Sequence, residues 1–420
     1  MPDVVIVGAG HAGLAASVCL SLLGIDHVVL ERGEVGENWR RQRWDSFYMN
    51  TPNWTLNLPD QDYDGHEPDA FMSRNDFVAL LKDYAEQRSV PLRTGIEATR
   101  ATRSGNGWRL ETSMGPMLAR AVIVATSTYQ APSFPAAAGC LSPKVMSLGA
   151  TDYRSPDRLP DGKVLVVGSG QSGMQIVEDL FNAGRDVLLA VGQAGRVPRR
   201  YRGRDLNYWY DKIGLMDRKA SDLADPRLKF GGQPQIAARH TISLQKFHRG
   251  GVRLLGRVAH ADGQELRLHR DLRENIAAAD RHSDKFCNDV DAYIERNGAT
   301  FPPDDREELD HAPIRNLDSV SEPEALNLMN EGITSVVWAT GFRFDYSWIE
   351  TDVFDEVGYP VTWRGETDAP GLYFLGLNFL YTRRSGIVYG IGADARHVAA
   401  RISDYFSGSA INRSTSAVSR

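Results

Sequence analysis

A chain of 420 residues, 42% hydrophobic and 24% charged, is long enough for two or three domains, each with its own core. Its net charge of −6 gives no basic field for nucleic acid or an anionic membrane, so neither is expected as a partner. The longest apolar runs, such as 121–125 and 164–167, fall far short of the roughly 18 residues of a membrane span. A strand-like run at Val4–Val7 leaves no room for a signal peptide, so a cytoplasmic location is expected.

The predicted elements open as strand, glycine turn and helix: Val4–Val7, then an apolar helix over 12–23 capped by Gly24, then a strand over 27–30. Residues 36–64, rich in Trp, Asn and Pro without a period, read as a structured loop against a ligand. A helix is predicted over 74–87, with Ser73 or Asn75 as N-cap. Short β-patterned pieces follow at 92–98, 108–112 and 121–125. Clustered Pro and Gly over 132–160 read as a linker. A second strand, glycine turn and helix begins at Lys163, its helix ends at Ala183 with Gly184 as cap, and 186–191 is the next strand. A helical pattern covers 272–297, strands return at 335–338 and 371–375, and a last helix is predicted over 391–405. The Ser-rich tail is expected to be disordered.

The first glycine turn is Gly8-Ala-Gly10-His-Ala-Gly13. Gly8 permits the tight turn, Gly10 lets backbone approach a pyrophosphate, and Gly13 lets helix pack on strand, while the helix N-terminus offers free N–H groups. Glu31 ends the second strand 23 residues after Gly8, where a carboxylate accepts hydrogen bonds from ribose hydroxyls and repels a 2′-phosphate. The second turn is Gly168-Ser-Gly170-Gln171-Ser172-Gly173. Its second strand ends in Val191-Gly192-Gln193, without a carboxylate, and Arg196, Arg199 and Arg200 follow. That exchange favours the 2′-phosphate of NADP. Two sites with opposite ribose chemistry are simplest as a bound flavin and a diffusing hydride donor.

The two turns, the Glu31-Arg32-Gly33-Glu34-x-Gly36-x-x-Trp39 segment and Ala339-Thr340-Gly341 resemble the flavin-containing monooxygenase superfamily, in particular its bacterial putative monooxygenase and "potassium transport" branch. The resemblance extends to the strand 371–376 and the turn into helix at 384–394. It implies an α/β fold of two Rossmann-like dinucleotide-binding domains, with the NADPH domain inserted into the FAD domain. The implied boundaries are FAD domain 1–157 and 330–410, NADPH domain 158–329 and a disordered tail 411–420. By position, Glu31 and Arg32 would hold the adenosine end of FAD, Asn38 and Trp39 would line the flavin channel, and Asn50 would stand beside the reactive flavin edge. Thr126, Gly376 and Gly386 complete the implied FAD set; Thr340 and Gly341 join Gly168, Gly170, Gln171, Ser172, Gly173 and the three arginines in the NADPH set. The helix after Gly386 would aim its N-terminus at the flavin.

What the resemblance implies chemically is reduction of FAD by NADPH, addition of O₂ at the flavin C4a position, and delivery of one oxygen from the hydroperoxide to a small organic substrate. The protein positions the rings and excludes water. Tyr208 and Trp209, with Trp44, Trp54 and Tyr210, are candidates for a substrate wall, or for ordinary core packing. One departure concerns the reaction. Aligned on Tyr153, the family's FxGxxxHxxx(Y/F) fingerprint meets Pro143, Val145 and Gly149 here, so the histidine is missing. That leaves two alternatives open: an NADPH-dependent flavin dehydrogenase or reductase with a non-oxygen acceptor, and a non-catalytic nucleotide sensor. Cys19, Cys140 and Cys287 are lone, without CxxC spacing, and His240, His248 and His260 lack metal-ligand spacing, so no metal is expected. A homodimer stays open.

Overall fold

The computed structural model describes residues 1–223, 234–314, 317 and 320–408; the tail expected over 411–420 lies outside them. The chain opens with β1 (Val4–Val7), α1 (His11–Leu22) and β2 (His27–Glu31). The irregular stretch that follows holds α2 (Glu37–Arg41), a 3-10 turn at Asn53–Thr55 and a hairpin of Asn57–Leu58 with Gln61–Asp62. α3 (Arg74–Gln87) starts on a capping box: Ser73 Oγ accepts from the Asp76 N–H at 3.2 Å, and the Asp76 carboxylate accepts from the Ser73 N–H at 3.4 Å. β3 (Leu92–Thr94) and β4 (Ala121–Val124) flank an antiparallel layer of Ala98–Ser104, Gly107–Thr112 and Gly115–Ala119.

Next come β5 (Met146–Gly149), β6 (Lys163–Val167), α4 (Gln171–Asn182) and β7 (Val187–Ala190). They are followed by α5 (Leu206–Lys212), β8 (Arg253–Leu255) and α6 (Leu272–Arg296). β9 (Ile333–Trp338), β10 (Leu372–Phe374) and α7 (Val388–Phe406) complete the set used below.

Two five-stranded parallel sheets result, ordered β10-β4-β1-β2-β3 and β5-β9-β6-β7-β8. The inner strands read Val-Val-Ile-Val, Ala-Val-Ile-Val and Val-Leu-Leu-Ala because both faces are covered, and every residue of these strands is buried. α1 packs between its sheet and α7, which explains a helix apolar nearly all round. Among the described residues, no helix is long and apolar enough to cross a membrane.

The sheets divide the chain differently from the boundaries expected at 157/158 and 329/330. β5 and β9 both belong to the second sheet, although each falls in a range assigned to the FAD domain. The physical reason is that β9 supplies the strand beside β6 that backs the second glycine turn, as β4 backs the first. The chain leaves the first sheet after β4 and returns after β9. The outgoing Ala131–Pro132 and the returning Phe342–Arg343 pair antiparallel at the crossing.

Candidate dinucleotide and substrate site

The two glycine turns are near copies. Gly8 and Gly168 have φ of +110° and +107°, and a Cβ there would meet Ala125 O at 2.6 Å or Ala339 O at 2.5 Å. A Cβ on Gly13 or Gly173 would lie 1.8 Å from the carbonyl oxygen of Gly8 or Gly168, so only glycine lets helix and strand approach. Gly10 and Gly170 differ: no protein atom lies within 4 Å of a Cβ placed there, and both border the same cavity. The space a side chain would fill is what a pyrophosphate at a helix N-terminus requires. The Ala125-Thr-Ser127 and Ala339-Thr-Gly341 motifs are thus equivalent, each ending the strand next to its glycine turn.

The cavity measures about 720 Å³ and is walled by both halves of the chain. Pockets of about 300–1,000 Å³ are typical of small-molecule and cofactor sites. Gly8, Glu31, Arg32, Asn38, Trp39 and Thr126 line it from the first half, together with Gly376 and Gly386. Gln171, Ser172 and Gly341 line it from the second, and Asn50 stands between. Glu31 is buried, and its carboxylate accepts from the Ala9 and Gly33 N–H groups, each at 2.9 Å, which fixes it at the strand end with lone pairs to spare. At the equivalent place in the second half, Ser169 Oγ accepts from the Gly192 N–H at 3.0 Å, so a neutral clip replaces the carboxylate.

Asn50 joins the two halves. Its Nδ2 donates to Gln171 Oε1 at 3.3 Å, and its Oδ1 accepts from Gln175 Nε2 at 3.0 Å. Gln175 also donates to Ile236 O at 2.7 Å, and Arg199 Nη1 donates to Asn50 O at 2.7 Å. A second clasp is Asp179 on α4, which accepts from Ser46 Oγ at 2.6 Å and from the buried Tyr153 hydroxyl at 2.7 Å. Gly149 lies at the end of β5, where a Cβ would approach Phe134 Cζ to 2.9 Å, so that ring stands where a histidine side chain would begin.

Three expectations are corrected. Arg196 is buried and donates to Asp280 at 2.7 Å; Arg199 is buried and donates from Nε and Nη2 to Asp205 at 2.8 and 2.6 Å. Both guanidinium groups are committed to carboxylates, which removes them from 2′-phosphate recognition; Arg200 is exposed, with a 3.1 Å bond to Gly203 O. Trp209 is fully buried against Phe301, its indole N–H bonded to Tyr201 O, and Tyr208 packs on Trp209 and Phe301. Neither touches the cavity, whereas Tyr210 and Trp44 do. Thr340 turns away too, donating to Ser133 O.

Sequence reasoning passed over Gln175, His11 and Arg43. Gln175 sits four residues after Gln171 and so shares its helix face, a spacing that was available. His11 lines the cavity at the start of α1; burial pushes its imidazole down to about 4, and Nε2 is buried without a partner. An orphaned donor-acceptor at the first glycine turn fits a ligand oxygen there. Arg43, also on the cavity wall, had no sequence signal at all. The three cysteines are free; burial raises the Cys19 and Cys287 thiols to about 11, and none lines the cavity.

Residues 5–209 match the pyridine nucleotide-disulphide oxidoreductase family. An uncharacterized CzcO-like oxidoreductase of Geobacillus kaustophilus is 28% identical over 399 residues, covering 94% of this chain and 97% of that protein. Indole-3-pyruvate monooxygenase YUCCA1 of Oryza sativa is 26% identical, covering 95% and 91%. Among solved structures, a flavin-containing monooxygenase from Stenotrophomonas maltophilia has the same fold, with a TM-score of 0.64 at 19% identity over 96% of this chain and 99% of that one. Matches along nearly the whole length, on a fold in which two glycine turns share one cavity, make the chain similar to the flavoprotein monooxygenase superfamily.

Proposed function

We propose that the protein is an FAD-dependent, NADPH-consuming monooxygenase that places one oxygen atom of O₂ on a small organic substrate. The observation that carries this reading is the single cavity bordered by both Gly10 and Gly170. Glu31 would hold the ribose of FAD and Gly10 its pyrophosphate; Gly170, Gln171 and Ser172 would hold the NADPH pyrophosphate. When bound, the flavin supplies hydride acceptance and oxygen activation.

The remaining work falls to the chain. Asn50 bridges the two glycine-turn halves, and its amide, held by Gln171 and Gln175, would stand beside the reactive edge of a bound flavin. The turn at Gly386 and the first residue of α7 face the cavity, and a helix N-terminus there favours negative charge on a reduced ring. Trp39, Trp44, Phe47 and Tyr210 keep water from the centre of the cavity.

The experiment is single turnover with isotopically labelled O₂ after anaerobic reduction by NADPH. Label in the product, one atom per substrate, is the expected result. NADPH oxidation with all label in peroxide or water, whatever the substrate, would overturn oxygen transfer. It would favour the reductase reading, for which the specific observation is Gly149 with Phe134 against it.

A further inference from the structure

Arg43 is a cation on the cavity wall, with no ion pair among the described residues. Its guanidinium lies 5.3 Å from the ring centre of Trp39 and 5.6 Å from those of Phe47 and Tyr129. Among the described residues its one hydrogen bond runs from Nη1 to Gln42 O, 2.9 Å away. Arg196, Arg199 and Arg384, by contrast, are each paired with an aspartate. Burial presses the Arg43 guanidinium below its ordinary value, against a smaller opposing pull from Tyr129. A partly buried cation with no ion pair among the described residues is unfavourable, and three aromatic faces offset only part of that. The free N–H groups have the cavity as their outlet.

We propose that Arg43 is the anion seat of the cavity, taking an oxyanion of a bound molecule in its planar fork. Two sources carry that chemistry: a phosphate of a bound dinucleotide, or a carboxylate on the substrate. The seat lies where α2 and the loop after it meet the crossing segment, since Tyr129 also packs on Phe342 of the returning strand at 5.1 Å. The proposal rests on the reading of the cavity as a dinucleotide and substrate site.

The test uses the full chain with Arg43→Met, which removes the charge, and Arg43→Lys, which keeps a point charge without the fork. Three quantities are measured: flavin bound per purified chain, NADP⁺ affinity by calorimetry, and phenylacetate affinity against its neutral amide. Arg43→Met should weaken one of them about ten- to hundredfold, the range of a hydrogen bond to a charged group, with Arg43→Lys intermediate and the amide unaffected. Loss of flavin or NADP⁺ identifies a phosphate; selective loss of phenylacetate identifies a carboxylate. All three within twofold of the parent in Arg43→Met overturns the proposal. Should that variant lack a cooperative thermal transition, unchanged values in Arg43→Lys overturn it equally. A parent chain that binds no flavin sinks the proposed function instead, because the other two titrations still read Arg43.

Discussion

Arg199 and Arg200 are neighbours in sequence and opposite in circumstance. Arg199 is sealed against Asp205 and the Asn50 carbonyl, while Arg200 is exposed. Arg199→Met should cost about 3–5 kcal/mol in chemical denaturation, because it strands a buried carboxylate. It should leave the ratio of NADPH to NADH Michaelis constants unchanged. Arg200→Ala should raise the NADPH constant more than the NADH constant, and equal effects would remove it from the 2′-phosphate. The sequence showed three arginines after a bare strand end but not the partner of Arg196, since Asp280 lies 84 residues beyond it. His11 carries a pH dependence. Folded protein keeps it neutral down to about pH 4, whereas the unfolded chain protonates it near its ordinary 6.5. The unfolded state therefore binds more protons in that window, and stability of nucleotide-free protein should fall by on the order of 3 kcal/mol from pH 6.5 to 4. His11→Gln should flatten the slope without abolishing it, because burial lowers His27 as well. An identical slope in His11→Gln would discard the assignment.

At the scale of elements, the glycine turns separate folding from binding. Gly13→Ala drives a Cβ into the Gly8 carbonyl and should destabilise the fold by about 1–3 kcal/mol or more. Gly10→Ala meets no protein atom and sits at φ −81°, so the nucleotide-free melting temperature should hold while flavin content drops. Equal flavin content in Gly10→Ala and the parent would remove the pyrophosphate from that spot. These strand-turn-helix units were legible because glycine spacing and apolar runs are local. The predicted 74–87 helix coincides with α3, whose cap residues lie three positions apart in sequence. The sheet membership of β5 and β9 was not legible, because parallel pairing joins residues nearly two hundred positions apart. Tyr208 and Trp209 stood open between substrate wall and core for a related reason: an aromatic cluster has the same composition whether it walls a pocket or fills the core around α6.

Across the whole molecule, Asp179 on α4 holds Ser46 of the first half, as Gln171 and Gln175 hold Asn50. Asp179→Ala would leave the buried Tyr153 hydroxyl without an acceptor and release Ser46, at about 1–3 kcal/mol. Limited proteolysis should then cut faster near the crossing segments, and an unchanged digestion rate would mean the clasp is dispensable. Asn50 was legible only through family resemblance; its tie to Gln175, 125 residues away, needed the fold. All five strands of the second sheet lie between the two crossing pieces, which stand side by side as Ala131 with Arg343 and Pro132 with Phe342. The entry and exit of that long excursion are therefore a single hydrogen-bonded rung apart. Seen as an object for surgery, the segment is a cassette on a double stem: two cuts and one short splice would rejoin the first sheet, and any swing of the cassette must pivot about that stem.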